Sequence, residues 1–579
     1  CVVFRQPFSF SSMSDWVALI VTWLVSAIVA WFISGYMRNF AMRSSVLASL
    51  LLFSLIPIST EAFKNQDLTQ PDEALLRAER QTQSVFLIGL DGATFDVIDP
   101  MLERGELPNL QRLINRGTRA TLFSEMAPNQ PFANSASQGM RTPVIWETII
   151  SGETPKEHQI WDFFQTKLSW LSKPIPFRLP LPSFAKSIIG AQDKAVYSTD
   201  ARRLRSWETV GLAGGDTLVV GWVDSWPAFG DHHCMMVSDR AHYDFQGTTH
   251  PEHLEKDFSW YYKDYPQIAK DKLNEMFLPD YREQFIDDDE GLLQQQAIFD
   301  RLVQGGEKDA WYREEIYVDL AKRVFSFDLN PDYANVYTKE DPLYWEHHLV
   351  TNEIADVARD NFFASTGVEL LKERKKEKGE LPALSCFYFP STDTAQHWLW
   401  KFYEPEAFDN VDAGSVERLK DAIPAVYRNA DRIVGELLAE ADANTSIIIV
   451  SDHGAGAWEE QGEGSAHEGY SGNHRPNGIF IGAGPEIREN YKGSDMSIYD
   501  VAPLVMYLTG LPISETIEGL DGELLIPQLL ETYPSQDIPS YGPRVIPESI
   551  LKKIQNAAEG DKVYLDRLAE LGYAEQSDD

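Results

Sequence analysis

The chain has 579 residues, 43% hydrophobic and 12% aromatic, which excludes a disordered composition and leaves room for one large or two ordinary domains. A formal charge of −37 excludes a duplex nucleic-acid surface, because phosphate binding needs clustered Lys and Arg. The three cysteines, Cys1, Cys234 and Cys386, lack Cys-x-x-Cys spacing and exclude a thiolate zinc site or a disulfide framework. An anionic substrate must therefore be met by local basic side chains or by metal ions.

In chain order, residues 16–36 (WVALIVTWLVSAIVAWFISGY) carry no charge and are long enough to span a bilayer core, with Trp16 and Tyr36 at the ends. Arg38 and Arg43 follow, then a shorter apolar run at 46–58. This run reads as a second transmembrane helix closing a hairpin, the preferred expectation, or as the core of a cleaved signal. Both readings anchor or target residues 1–60 at a membrane and put the rest of the chain outside the cytoplasm, in a periplasmic or extracellular space. Residues 61–83 are polar and read as a linker.

Residues 84–92 (SVFLIGLDG) form an apolar run ending in Asp-Gly, as a buried parallel strand would. Two more such runs are LSCFYFPSTD at 384–393 and TSIIIVSDHG at 445–454. Helical patterns at 106–116 and 416–440 lie between them, so the chain reads as an α/β domain with a mainly parallel sheet. Its two parts are 84–164 and 381–545. The intervening 165–380 is rich in Trp, Tyr, Asp and His, weakly periodic, and reads as an inserted cap. Residues 546–579 read as a C-terminal helix with an acidic tail.

Each of the three strands ends in an aspartate: Asp91, Asp393 and Asp452. In such sheets ligands bind beyond the carboxyl ends of the strands. Asp393 and His397 are four apart, hence on one helix face. His453 adjoins Asp452, and His474 follows among turn residues. Carboxylate and imidazole together suit zinc, manganese or iron and do not suit a calcium cage. Three Asp and three His make two three-ligand sites with open positions. Each piece alone has an ordinary reading: Asp-Gly is a turn, DTAQH a surface-helix pair. His467 is the nearest rival to His474.

Thr142 precedes Pro143, which fits the first position of a helix, so Thr142 reads as a cap whose neighbouring amides could face an anion. Arg141 is a candidate substrate-binding charge or a solvated side chain. Trp222 and Trp226 are candidates for the organic part of a substrate or for buried core.

Taken in order, VFLIGLDGATFDVIDP, RTPVIWETIISGETPKEHQIWDF, DTAQH, SDHG and GNHRPNGIFIGAGP resemble the alkaline phosphatase superfamily, and within it the type I phosphodiesterase/nucleotide pyrophosphatase group. The resemblance implies a doubly wound α/β sheet with helices on both faces and a metal pair at the strand ends. It implies that Asp91, Asp452 and His453 hold one ion, that Asp393, His397 and His474 hold the other, and that Thr142 is the nucleophile of a phospho-threonine mechanism on a small-molecule phosphoester. Zinc is the expected metal, with manganese second. Gln159 stands where the family's PxHGI pattern has Gly, and the polar stretch NQPFANSASQGM before Thr142 is additional. A sulfatase is disfavoured, since it needs Cys or Ser in a Cys/Ser-x-Pro-x-Arg context. A phosphomutase or phosphotransferase shares the metal logic and differs in releasing no free phosphate. A membrane-tethered binding protein with a dead site is disfavoured by the full ligand set.

Overall fold

The computed structural model describes most of residues 83–550; residues 1–82, 125–139, 255–317, 459–468, 515–536 and 551–579, with several shorter stretches, lie outside the described residues. The two apolar segments at 16–36 and 46–58, and most of the C-terminal helix, fall in that excluded set. Among the described residues no helix is long and apolar enough to cross a membrane.

The first strand, β1 (Ser84–Leu90), is buried along its whole length. Successive side chains of a strand point to opposite faces, so Phe86, Ile88 and Leu90 join one core and Val85 and Leu87 the other. Burying each such side chain contributes roughly 1.5–3 kcal/mol, which is why a seven-residue strand can organise the domain. Helices α1 (Phe95–Glu103) and α2 (Pro108–Arg116) follow, then β2 (Thr118–Phe123), α3 (Thr142–Ser151) and the short α4 (Pro155–His158). A hairpin, β3 (Phe164–Leu168) with β4 (Ala191–Ala195), precedes α5 (Ser206–Leu212), β5 (Thr217–Val220), β6 (Cys234–Val237) and β7 (Thr249–His250). Next come α6 (Pro342–Lys378), β8 (Leu384–Phe389), α7 (Ser391–Tyr403), α8 (Ala413–Leu419), α9 (Ala422–Glu440) and β9 (Thr445–Val450). A second hairpin, β10 (Gly454–Ala457) with β11 (Gly472–Arg475), leads to β12 (Asn477–Ala483), β13 (Tyr491–Lys492), β14 (Met496–Ser497) and α10 (Val501–Leu508).

The main sheet runs β13-β2-β12-β9-β1-β8-β5-β6-β7, with β14 also on β2. Strands β9, β1, β8, β5 and β6 are mutually parallel; β12 is antiparallel to β9, and β7 to β6. One face carries α1, α2, α6, α7 and α9. The other carries α3, α5 and α10. The sheet is thus mixed but mainly parallel and covered on both faces.

Two expectations need correction. The stretch 165–380 is not wholly an insert: β5 and β6 continue the parallel sheet beside β8, and α6 lies over it. These strands are only four residues each, too short to stand out from their surroundings. The helical pattern at 416–440 is two helices, with Lys420 ending the first. Pro424 then sits in the first turn of α9, where a missing N–H costs nothing.

Helix α3 is held on the sheet by Trp146, whose ring lies over Gly89; a Cβ there would come within 2.6 Å of the indole. Its far end is tied to α4. The Ile160 amide donates to His158 Nδ1 at 3.1 Å, so that nitrogen bears the lone pair and Nε2–H faces Thr148 Oγ1 at 3.1 Å. The Thr148 hydroxyl in turn donates to the Val144 carbonyl. Burial, together with Arg205 and Arg203, holds His158 down to about 3. As pH falls below the ordinary imidazole value, the unfolded chain takes up a proton that the native chain refuses. Stability is therefore full above pH 6.5 and lost progressively towards pH 3. Between pH 7 and 5 this one group removes about 2 kcal/mol. Urea unfolding at the two pH values should show the wild type faring about 2 kcal/mol worse, on going from pH 7 to pH 5, than His158→Gln over the same interval, since the buried carboxyls act alike in both.

Gln159 closes α4 with φ 65°, in the left-handed region. A glycine there would avoid a strain of ~1–2 kcal/mol. Gln159→Gly should raise the urea midpoint by an amount worth about 1 kcal/mol.

Candidate metal centre

Because β1, β8 and β9 are parallel and in register (Gly89 pairs with Tyr388 and with Val450), their carboxyl ends open at one level. Asp91 follows β1 directly, Asp393 lies in the first turn of α7, and Asp452 lies two residues past β9. Gly92 has φ 65°, and a Cβ there would lie 2.8 Å from Asp393 Oδ1. The Asp-Gly pair is thus a turn and also the means by which two carboxylates approach; the Gly92 amide donates to Asp452 Oδ1 at 3.2 Å. His397 stands one helical turn beyond Asp393, its Nε2 3.4 Å from Asp393 Oδ2. The β10–β11 hairpin pairs Ala455 with His474 and lays the His474 ring on that of His453, centroids 3.6 Å apart.

All six candidate ligands are buried. They fall into two groups, Asp393 with His397 and His474, and Asp91 with Asp452 and His453, each with one donor atom per residue within 4.8 Å of the others. The groups abut: His474 Nε2 is 3.6 Å and His453 Nε2 3.9 Å from the same Asp393 oxygen, Oδ1. The rival His467 lies outside the described residues.

The donor chemistry fits a divalent cation. Nδ1 of His397 faces the Gly472 carbonyl, that of His453 the Gly454 carbonyl and that of His474 the Met140 carbonyl, each at 3.0 Å. A carbonyl only accepts, so each Nδ1 carries the proton and each Nε2 turns a lone pair inward. His397 Nε2 and His474 Nε2 are then 2.9 Å apart, two lone pairs facing each other unless a cation or a proton lies between. Asp91 Oδ1, Asp393 Oδ1, Asp452 Oδ2 and His453 Nε2 are buried with no hydrogen-bond partner. Leaving such atoms unpaired is costly, and an oxygen and nitrogen set of this kind suits zinc or manganese.

The electrostatics agree. Burial, then the charges of Asp452 and Asp393, push Asp91 well above the usual carboxylate range. Burial and Asp393 push Asp452 up to about 7. Burial opposes ionisation of Asp393 too, but His397, His474 and His453 outweigh it and hold that carboxyl low. His397 rises, because Asp393 outweighs its burial; His474 falls well below the imidazole value through burial and the neighbouring His453. The pocket carries more negative charge than it can keep without protons or a cation.

Thr142 is buried and is the first residue of α3; the cap itself is Arg141. Pro143 has no N–H, and the Val144 and Ile145 amides both donate to the Arg141 carbonyl. The first turn therefore does not offer a fan of free amides; only the Thr142 amide is left over by these bonds. The backbone leading into Thr142 is joined to the centre by the bond between Met140 and His474. Arg141 is ion-paired with Asp162. Trp222 packs edge-on against Trp146 and Trp207, and Trp226 against Tyr197 with Arg240 over its ring; both indoles are buried.

Several supporting residues escaped the reading of the sequence. The Tyr388 phenol donates to Asp91 Oδ2. Thr392 Oγ1 donates to the Asp91 carbonyl at 2.5 Å, and Gln396 Nε2 to the Gly92 carbonyl at 2.9 Å. Ser451 Oγ donates to the Ala93 carbonyl at 2.8 Å. The available signal was their polarity inside or beside fully buried strands.

The family model for type I phosphodiesterase / nucleotide pyrophosphatase matches residues 85–465. No curated protein matches the chain. Among solved structures, the chain is similar to human ectonucleotide pyrophosphatase / phosphodiesterase 5 at 11% identity, covering 78% of this chain and 100% of that one, with a TM-score of 0.37. The murine counterpart, an inactive form in complex with AMP, is similar at 12% identity, covering 74% and 95%, with a TM-score of 0.33. Phosphonoacetate hydrolase from Sinorhizobium meliloti 1021, in complex with phosphonoformate, is similar at 12%, covering 65% and 57%, with a TM-score of 0.30. The family match takes in Thr142 and every candidate ligand except His474, which the β10–β11 hairpin supplies from beyond it. The chain belongs to the type I phosphodiesterase/nucleotide pyrophosphatase family and is a phosphoric ester hydrolase.

Proposed function

We propose that the protein hydrolyses small phosphodiesters or phosphomonoesters at two divalent ions, zinc in preference to manganese, through a phospho-threonine at Thr142. The observation that carries this reading is the convergence of two buried Asp/His groups whose inward atoms have no hydrogen-bond partner. Asp91, Asp452 and His453 would hold one ion; Asp393, His397 and His474 would hold the other. Bound there, the ions supply the positive charge that a deprotonated hydroxyl and a departing oxygen need.

The chain's own residues do the rest. Thr142 Oγ bonds to phosphorus as the bond from phosphorus to the ester oxygen breaks, and the hydroxyl proton ends on the departing oxygen through solvent. Water then breaks the Oγ–phosphorus bond and the hydroxyl regains a proton. Two in-line displacements retain configuration at phosphorus. Trp146 and the His474–Met140 bond fix the helix start on which Thr142 rides, which limits the reorientation needed at the moment of attack. Arg141, with Asp162 beside it, is a weak partner for substrate. The uncharged stretch at 16–36 supports a membrane tether with the catalytic unit outside the cytoplasm.

Chromogenic aryl phosphodiesters and monoesters test the reading. Thr142→Ala should lower kcat by roughly 10³-fold or more; undiminished turnover would remove Thr142 as the nucleophile. A chelator should abolish activity, and added Zn²⁺ or Mn²⁺ should restore it. Full activity in the chelator would end the two-ion assignment.

A further inference from the structure

Tyr388 lies in β8, a strand buried along its whole length, and a phenol placed there needs a partner for its hydroxyl. That partner is Asp91 Oδ2. The other oxygen, Oδ1, has no hydrogen-bond partner and lies 3.6 Å from His453 Nε2. The phenol thus engages one oxygen of the carboxylate and leaves the other without a partner beside His453. The main chain of Asp91 is held as well: its amide donates to the Phe389 carbonyl at 3.1 Å, and its carbonyl accepts from Thr392.

The phenol ring is itself wedged. It meets Trp146 edge-on with centroids 5.2 Å apart, and Trp222 at 6.4 Å. Trp146 is one helical turn from Thr142 on α3. One ring therefore contacts both the support of a candidate ligand and the helix that presents the candidate nucleophile.

We infer that Tyr388 is a positioning residue that makes Asp91 a one-oxygen ligand and fixes that oxygen relative to α3. This inference rests on the two-ion reading above. Ligating carboxylates are themselves hydrogen-bonded, and losing such a partner typically weakens metal binding about 10–100-fold. Tyr388→Phe keeps the ring and its packing and removes only the hydroxyl.

The test is calorimetric titration of chelator-treated full chain with Zn²⁺, wild type beside Tyr388→Phe. The expected result is two ions bound by each, with one of the two about 10–100-fold weaker in the variant and the other unchanged. The kcat/KM of the variant should fall at limiting Zn²⁺ and recover when Zn²⁺ saturates. A general loss of packing would not weaken one ion selectively. Two ions bound with wild-type affinities by Tyr388→Phe would overturn the role of the phenol and leave the two-ion reading intact. Failure of the wild type to take up two ions would overturn both.

Discussion

Three carboxylates and three imidazoles share a space that the protein keeps from water, and their inward atoms repel one another. The rest of the architecture can be understood as what holds that arrangement in place. Three parallel strands end at one level, Gly92 lets two carboxylates approach, and the three Nδ1–carbonyl bonds turn the imidazole lone pairs inward. A cluster that is unfavourable by itself is one in which folding energy could serve as binding energy for a metal.

The supporting layer explains why the cluster does not relax. Asp91 is gripped through side chain, amide and carbonyl by β8 and the start of α7. Gln396 bridges the Gly92 carbonyl and the Tyr427 hydroxyl of α9, which also receives the Thr94 amide. On the opposite face, Trp146 packs against the same strands and positions α3. The two cores thus meet at the site, one fixing the Asp/His cluster and the other the helix that carries Thr142.

The two Asp/His groups were legible as candidates in the sequence because each Asp follows an apolar run of the kind a buried strand has. The spacing of Asp393 and His397 stated its own geometry. His474 was less secure, since nothing local distinguishes it from His467; the hairpin that stacks it on His453 is a tertiary fact. Helix α6 was illegible. Its buried face carries Glu346, Glu353, Asp356 and Asp360 among the apolar residues, so the periodic contrast that marks an amphipathic helix is blurred. Glu346 is buried because Arg418 and Ser415 of α8 meet it, and no single-chain pattern announces such a pairing. Strands β5 and β6 failed to stand out for a different reason, their length. The amides expected to fan out from α3 are not free, because Val144 and Ile145 close on the Arg141 carbonyl and Pro143 has none to offer.

The bond from His474 to the Met140 carbonyl spans 334 positions of sequence and anchors the chain just before Thr142. The start of α3 is therefore tied to a hairpin drawn from far along the chain, and a change at either end of that bond is felt at the other. One imidazole thus couples the candidate ion group to the helix that carries Thr142, so a substitution at His474 would disturb two parts of the site at once.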